Sequence, residues 1–179
     1  MKLKITPEEQ IPSVRQLYFD AFPSGERKPF EGILERCRQG KMELLTIEDD
    51  GGFAGFAAVM LYKDMALLDY FAISADRRGG GAGGQTLELL KQRYAEKRFF
   101  LEIEMLDKNA ENSAMRERRK QFYLRAGFIE TGIFVRYFDC EMEVLAYNCN
   151  IAFEDYTDIY RGVMGEDSPV RGRLTRIAD

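Results

Sequence analysis

ADRRGGGAGGQTL, residues 75–87, sets Arg77 and Arg78 ahead of glycines at 79, 80, 81, 83 and 84 and then runs into an apolar-periodic stretch. A glycine inside a helix costs about 1 kcal/mol relative to alanine. Five of them together therefore report a demand on the backbone rather than on side chains. The cluster stands between the apolar run ALLDYFAIS (66–74) and QTLELLKQRYAEKR (85–98), where Leu87, Leu90 and Tyr94 share one helical face. A glycine turn that opens a helix points several backbone N–H groups at one spot. With the helix dipole it makes an anion site, usually for phosphate. A tight or flexible turn is the bland alternative; five glycines after two arginines and before a helix favour the anion site.

Working outward, the whole chain has the size and composition of one domain over residues 1–179. Its 179 residues are 45% hydrophobic and 31% charged, enough for a core and a soluble surface. There is no apolar run near 18 residues and no signal-peptide stretch at MKLKITPEEQ, so no membrane span is expected. Cys37, Cys140 and Cys149 are scattered and odd in number, which predicts reduced thiols and a cytoplasmic location. Histidine is absent, which excludes Ser-His-Asp and Cys-His triads and His-ligated zinc, and no metal site is expected. Any general acid or base is therefore Asp, Glu, Tyr, Lys or Cys. A net charge of −4 argues against nucleic acid as the main partner. Arg77-Arg78 and RERRK (116–120) are basic spots that suit a small polyanion.

KLKI (2–5) alternates as a short strand, and Thr6-Pro7-Glu8-Glu9 reads as a helix start, with Thr6 as cap and Pro7 at the first position. Ile11, Val14, Leu17, Tyr18 and Phe22 continue that helix, and a second covers Phe30 to Arg38. MELLTIE (42–48) and FAGFAAVMLY (53–62) read as a hairpin around Asp49-Asp50-Gly51-Gly52. Residues 66–74 are apolar on both faces, as a central strand is. FFLEIEM (99–105) is a strand, Ala114 to Ala126 a helix, and GIFVRYFDCEMEVLAYN (132–148) a closing antiparallel pair around Asp139-Cys140. Ile151 to Val163 reads as a last helix and the tail GEDSPVRGRLTRIAD as loose. The fold class is mixed α/β, with a strand–loop–helix–strand unit at its centre.

Two signatures compete for the glycines. Gly79-x-Gly81-x-x-Gly84 satisfies the dinucleotide fingerprint, and Glu104 follows at 20 residues. But Ala75 to Arg78 separate strand from glycines, three strands precede them, and too little parallel α/β follows. Arg78-x-x-Gly81-x-Gly83 instead resembles the R/Q-x-x-G-x-G/A signature of the GNAT superfamily of N-acetyltransferases. FAISADRRGGGAGGQTL is similar to that family's central stretch, and Phe122-Tyr123-Leu124-Arg125-Ala126-Gly127-Phe128 to its late helix and turn. Leu101-Glu102-Ile103 matches the strand between, and the likeness runs over residues 1–148. It implies the GNAT fold: a mixed sheet of about seven strands, helices on both faces, and the fourth and fifth strands splayed apart. It also implies an acetyl-CoA-dependent N-acetyltransferase acting on a primary amine of a small molecule or peptide by direct attack. The amides near Arg78, Gly79, Gly81, Gly83 and Gly84 would hold the coenzyme pyrophosphate, and the backbone near Ile73 the pantetheine arm.

Acetyl transfer to an amine needs a base for the ammonium and an acid, or at least a stabilising group, for the departing thiolate. Tyr123 resembles the family's thiol-protonating tyrosine, and Glu102 stands where some members carry a base acting through water. Glu104 shares the strand face of Glu102, and Asp69, inside an apolar strand, is another candidate; the plain alternative for each is a structural role. The chain departs from the family at Arg116, where many members have Asn, and in its longer segment DKNAENSAMRERRK. Arg116, Arg118, Arg119 and Lys120 suit either a coenzyme phosphate or, preferably, a solvated helix face paired with Glu111 and Glu117. Phe19, Phe22, Glu26, Arg27, Phe30, Arg136, Tyr137 and Phe138 lie where the family shapes the acceptor side; the aromatics read as core, and Glu26 and Arg27 as facing the acceptor. Dimers are common in the family, so a homodimer is the assembly to test. A non-catalytic acetyl-CoA-binding sensor is the alternative function.

Overall fold

A computed structural model describes residues 1–137, 140–165 and 174–176. The chain runs β1 (Lys2–Ile5), α1 (Ile11–Ala21), α2 (Phe30–Arg38), β2 (Met42–Asp49), β3 (Gly52–Tyr62), β4 (Met65–Ile73), α3 (Ala82–Arg93), β5 (Arg98–Glu104), α4 (Ser113–Arg125), β6 (Phe128–Tyr137), β7 (Cys140–Tyr147), α5 (Phe153–Met164) and β8 (Leu174–Arg176). One sheet holds the strands in the order β1-β2-β3-β4-β5-β7-β6-β8. The seven expected strands are all there. An eighth, β8, pairs antiparallel with β6 inside the segment expected to be loose. Phe138 and Asp139, the expected tip of the β6–β7 pair, lie outside the described residues.

Both faces of the sheet are covered. Val14 and Tyr18 of α1, Phe30 and Ile33 of α2, and Ile159 and Val163 of α5 pack on one face. Leu87 and Leu90 of α3 and Tyr123 of α4 pack on the other. Phe56, Ala58 and Met60 of β3 face the first group while Ala57 and Val59 face the second, which makes β3 apolar throughout. The start of α1 differs from expectation. Glu8–Gln10 forms a separate 3₁₀ turn before the helix begins at Ile11. Pro12 has no N–H to give an α-type bond back to residue 8, so the first turn cannot join the helix. Thr6 caps nothing; its hydroxyl accepts from Thr46 of β2 at 3.0 Å.

β4 and β5 are the parallel neighbours, paired from Met65↔Arg98 to Leu68↔Leu101 and no further. Beyond that point Tyr70–Ile73 stays with β3 and Glu102–Glu104 stays with β7. The two strands therefore part, as the resemblance implies. The divergence begins at a bulge: Val59 faces Leu68 and Ala58 faces Tyr70, leaving Asp69 without a cross-strand partner.

Candidate active site

The gap between β4 and β5 opens toward the glycine turn. Ile73 ends β4, Ala75–Arg77 forms one 3₁₀ turn, and α3 starts at Ala82 with Gly81 as its N-cap. The helix thus begins three residues earlier than the apolar period suggests, taking Gly83 and Gly84 into its first turn. Gly79 and Gly81 have φ of +90° and +80°, conformations that side chains rarely adopt. Gly83 is held by packing, since a Cβ there would lie 3.2 Å from the Phe122 ring of α4. Gly84 has open space where a Cβ would stand. Among the described residues no acceptor meets the amides of residues 79–84, and the first helical bond is Gln85 N to Gly81 O at 3.0 Å. Arg78 does not reach outward: its Nε donates to the Ile73 carbonyl at 2.9 Å and pins the turn to the strand end. On the α1 side the turn borders a cleft of about 680 Å³ lined by Ser13, Gln16, Asp20, Phe53, Ser74 and Arg78.

Glu102 and Tyr123 lie on opposite faces of the sheet, Glu102 against α5 and Tyr123 in the core beneath α3 and α4. Glu102 is not on a solvated strand face. Tyr160 of α5 donates to its Oε1 at 2.6 Å, and Tyr156 of α5 donates to its Oε2. Burial pushes the Glu102 carboxyl up; Lys28 pulls it down, Asp69 raises it, and the two tyrosine hydroxyls lower it. Asp69 is 1% exposed at its side chain and pairs with Lys28 at 2.6 Å, while its second oxygen is buried without a partner. Burial raises the Asp69 carboxyl and Lys28 opposes this. The structure thus gives Asp69 an ion-pair role. Lys28 also lies 5.2 Å from the Tyr70 ring centre and 5.4 Å from that of Tyr160. Tyr70 anchors this loop, donating to the Glu26 carbonyl at 2.9 Å and accepting from the Lys28 amide at 3.0 Å.

Tyr123 is buried beside Phe122 and Phe128, with ring centres 5.1 and 5.7 Å away. Its hydroxyl has no hydrogen-bond partner among the described residues, and burial pushes it up to about 12 against the pull of Arg119. Glu104 is committed elsewhere: Arg116 and Arg119 pair with it at 3.0 and 2.8 Å, and Asn112 donates to it at 3.1 Å. Lys120 binds Glu143 of β7 at 2.9 Å and Glu130 of β6. These basic residues reach strand acids across the gap end of the sheet, not Glu111 and Glu117 of their own segment. Of the expected acceptor-side residues, Phe30 is core, Phe19 is 46% exposed under the Arg27 guanidinium, and Arg136 pairs with exposed Glu141. Glu26 is half-buried; burial and Glu104 raise its carboxyl, and Arg119 and Arg116 lower it. Tyr156 and Tyr160 escaped the sequence reading, though their i, i+4 spacing on one helix face was visible.

The raised Glu102 carboxyl makes a stability prediction. A carboxyl whose folded pKa lies above its unfolded value binds more protons when folded, so its contribution falls as pH rises between the two. Glu102→Gln removes that penalty and keeps groups able to meet both tyrosines. Its melting temperature should gain on the wild type as pH rises from about 4.5 through the folded pKa, hold that gain above it, and show none at pH 4. A difference that does not change with pH would mean that Glu102 titrates normally in the folded chain.

The Acetyltransferase (GNAT) domain family matches residues 41–130, half of the chain and all of the gap from β2 to the start of β6. No curated protein is detectably similar in sequence. Among solved structures, the chain is similar to an acetyltransferase of the GNAT family from Bacteroides thetaiotaomicron, at 23% identity and a TM-score of 0.72, over 90% of this chain and 95% of that one. It is similar to a ribosomal-protein-alanine N-acetyltransferase from Brucella melitensis at 18% identity and 0.61, over 82% and 98%. It also resembles an aminoglycoside 6'-N-acetyltransferase complexed with coenzyme A at 14% and 0.59, over 82% and 96%. No helix among the described residues is long and apolar enough to cross a membrane. The parted β4–β5 pair and the glycine turn fall inside the matched block, and this chain belongs to the GNAT family of acetyltransferases.

Proposed function

We propose that the protein is an acetyl-CoA-dependent N-acetyltransferase for a primary amine of a small molecule or peptide. The observation that carries the reading is the row of unsatisfied amides at residues 79–84 at the end of an unpaired strand edge. The first N–H groups of any helix lack intrahelical acceptors; here the exposed turn Gly79–Gly81 leads straight into them, and a diphosphate is a natural acceptor at a helix N-terminus. The residues fit the coenzyme. Gly79, Gly81, Gly83 and Gly84 bring backbone close to the pyrophosphate, Arg78 fixes the turn, and the free edge at Asp69–Ile73 offers amides and carbonyls to an extended amide-bearing arm. When bound, acetyl-CoA supplies the activated acetyl thioester.

The chain's own groups then divide the proton work. Glu102, through water or directly, takes a proton from the acceptor ammonium, and a raised carboxyl is suited to a base working near neutral pH. Tyr123, protonated at neutral pH, gives one to the departing thiolate sulfur. Glu26, half-buried with a raised carboxyl, is the candidate to dock the positive charge of the acceptor. Gap geometry and orientation supply much of the remaining rate.

Gly84 separates fold from function. A Cβ at this position meets nothing in the protein, and alanine in the first helical turn should leave the ligand-free chain as stable or up to about 1 kcal/mol more stable. Acetyl-CoA at 100 times its Kd should stabilise the wild type by about 2.7 kcal/mol. Gly84→Ala should lose most of that shift. An undiminished shift would place the coenzyme elsewhere. Release of free thiol on a panel of polyamines, aminoglycosides and peptide N-termini tests the transfer itself.

A further inference from the structure

We infer that α5 belongs to the acetyl-transfer machinery, with Tyr156 and Tyr160 as positioning residues that hold the Glu102 carboxylate in the gap. This rests on the reading of Glu102 as the base. The helix lies beyond residue 130, where the family match ends, so nothing in that match assigns it a part. The geometry is specific. One hydroxyl meets each carboxylate oxygen, Tyr160 at Oε1 and Tyr156 at Oε2. A carboxylate offers about four lone-pair sites, so the capped group can still accept a proton from a third partner. Glu102 is only partly enclosed, as a base with an outside substrate must be.

The helix is also seated so that the hydroxyls cannot drift. Asp155 pairs with Arg98 at the start of β5 at 2.7 Å and accepts from the Ala152 amide at 3.0 Å. At Gly162 a Cβ would lie 2.2 Å from the Tyr62 ring of β3, so the helix rests directly on the sheet. Ile159 is buried between these anchors and Val163 just beyond them. The ordinary alternative is that two core tyrosines merely satisfy a buried acid. The two readings differ in what the hydroxyls do to proton transfer.

The groups facing Glu102 are Lys28 from the α1–α2 loop, Asp69 from β4, and Tyr156 and Tyr160 from α5. Glu104 points to the same side of β5 but is held by Arg116 and Arg119. Both hydroxyls favour the ionised form of Glu102. Removing one therefore raises its pKa, and the acid limb of kcat/KM should move up by about one pH unit for each hydroxyl lost. The loss should appear in kcat at neutral pH and recover toward pH 9, with KM for acetyl-CoA unchanged.

The experiment compares Tyr156→Phe, Tyr160→Phe and Glu102→Gln in the full chain. It uses acetyl-CoA with the best amine of the free-thiol panel, and ¹³C-carboxyl NMR titration of Glu102 for the two tyrosine variants. Upward displacement of the NMR titration and the acid limb together, with an unchanged thermal shift by acetyl-CoA, supports the inference. Lower melting temperatures with an unmoved titration and acid limb would overturn it and leave the tyrosines as core. Wild-type turnover in Glu102→Gln would overturn the base assignment and this inference with it. An inactive Glu102→Gln beside tyrosine variants with unmoved acid limbs would overturn this inference alone. Should the panel yield no turnover, an NMR titration of Glu102 that stays in place in both tyrosine variants is by itself enough to overturn it.

Discussion

Lys28→Ala should cost the fold about 3–5 kcal/mol, because it leaves a charge uncompensated in the interior. Lys28 is 8% exposed and its ammonium meets Asp69, whose side chain is 1% exposed. One Asp69 oxygen lacks a partner among the described residues, so the Lys28 ammonium is the main group opposing the upward push of burial on this carboxyl. Lys28 also pulls down Glu102, so one cation serves both the buried Asp69 carboxyl and the partly enclosed Glu102 carboxyl. Without it, both acids should take up protons instead of remaining charged. For a chain of this length, the loss corresponds to a melting temperature lower by roughly 6–20 °C. The loss should be largest at high pH. In the variant the folded pKa values of Asp69 and Glu102 rise further above their unfolded values, so stability falls as pH climbs through that widened window. Urea denaturation at pH 5 and pH 8 reads both effects. A companion variant, Lys28→Met with Asp69→Leu, should recover much of the stability, since replacing a buried pair by apolar groups is often neutral. A loss below 1 kcal/mol at both pH values would show that the pair is solvated in solution.

The glycine turn was legible because its parts are local. Glycines 79 and 81 are dictated by backbone sign, and a Gly-rich turn between an apolar strand and a periodic helix reads as an anion site. The strand order and the parting of β4 from β5 were implied by resemblance, not by the pattern of either strand. Asp69 could be noticed as a charge inside an apolar run, but the bulge that turns its side chain toward Lys28 depends on pairing with β3. Glu102 was placed on a polar strand face because alternation with Leu101 and Ile103 allows nothing else. That the face is closed by two tyrosines follows from where α5 docks, more than 50 residues later in sequence. The same limit hid the partners of Arg116, Arg119 and Lys120. Helical spacing proposes neighbours three and four residues away, whereas Glu104 and Glu143 arrive from strands. Thr6 likewise looked like a cap, and tertiary contact with Thr46 claimed it instead.

Tyr123→Phe should lower kcat by about 100-fold or more while leaving acetyl-CoA binding unchanged, the size expected for removal of a general acid. Fold stability should hold within about 1 kcal/mol. The hydroxyl has no hydrogen-bond partner among the described residues, and phenylalanine keeps the contacts with Phe122 and Phe128. The chemical case turns on matched proton affinities. A hydroxyl near 12 would be a poor donor to a thiolate in water, where thiols ionise near 8.5. An enclosed thiolate is a stronger base. This fold shows the effect on its own thiols: burial pushes Cys37 up to about 11 and raises Cys149. A coenzyme sulfur held in the gap would lose solvent in the same way, which would raise its proton affinity toward that of Tyr123. Arg119 helps from the other side by lowering Tyr123. Arg119→Gln should therefore lower kcat in the same direction but by much less, because it tunes the acid without removing it. Unchanged turnover in Tyr123→Phe would mean that the thiolate leaves unassisted and that positioning in the gap carries the rate. Acetyl-CoA binding without turnover in either form, across the whole amine panel, would favour a coenzyme sensor over an enzyme, because the same turn and strand edge would then serve recognition alone.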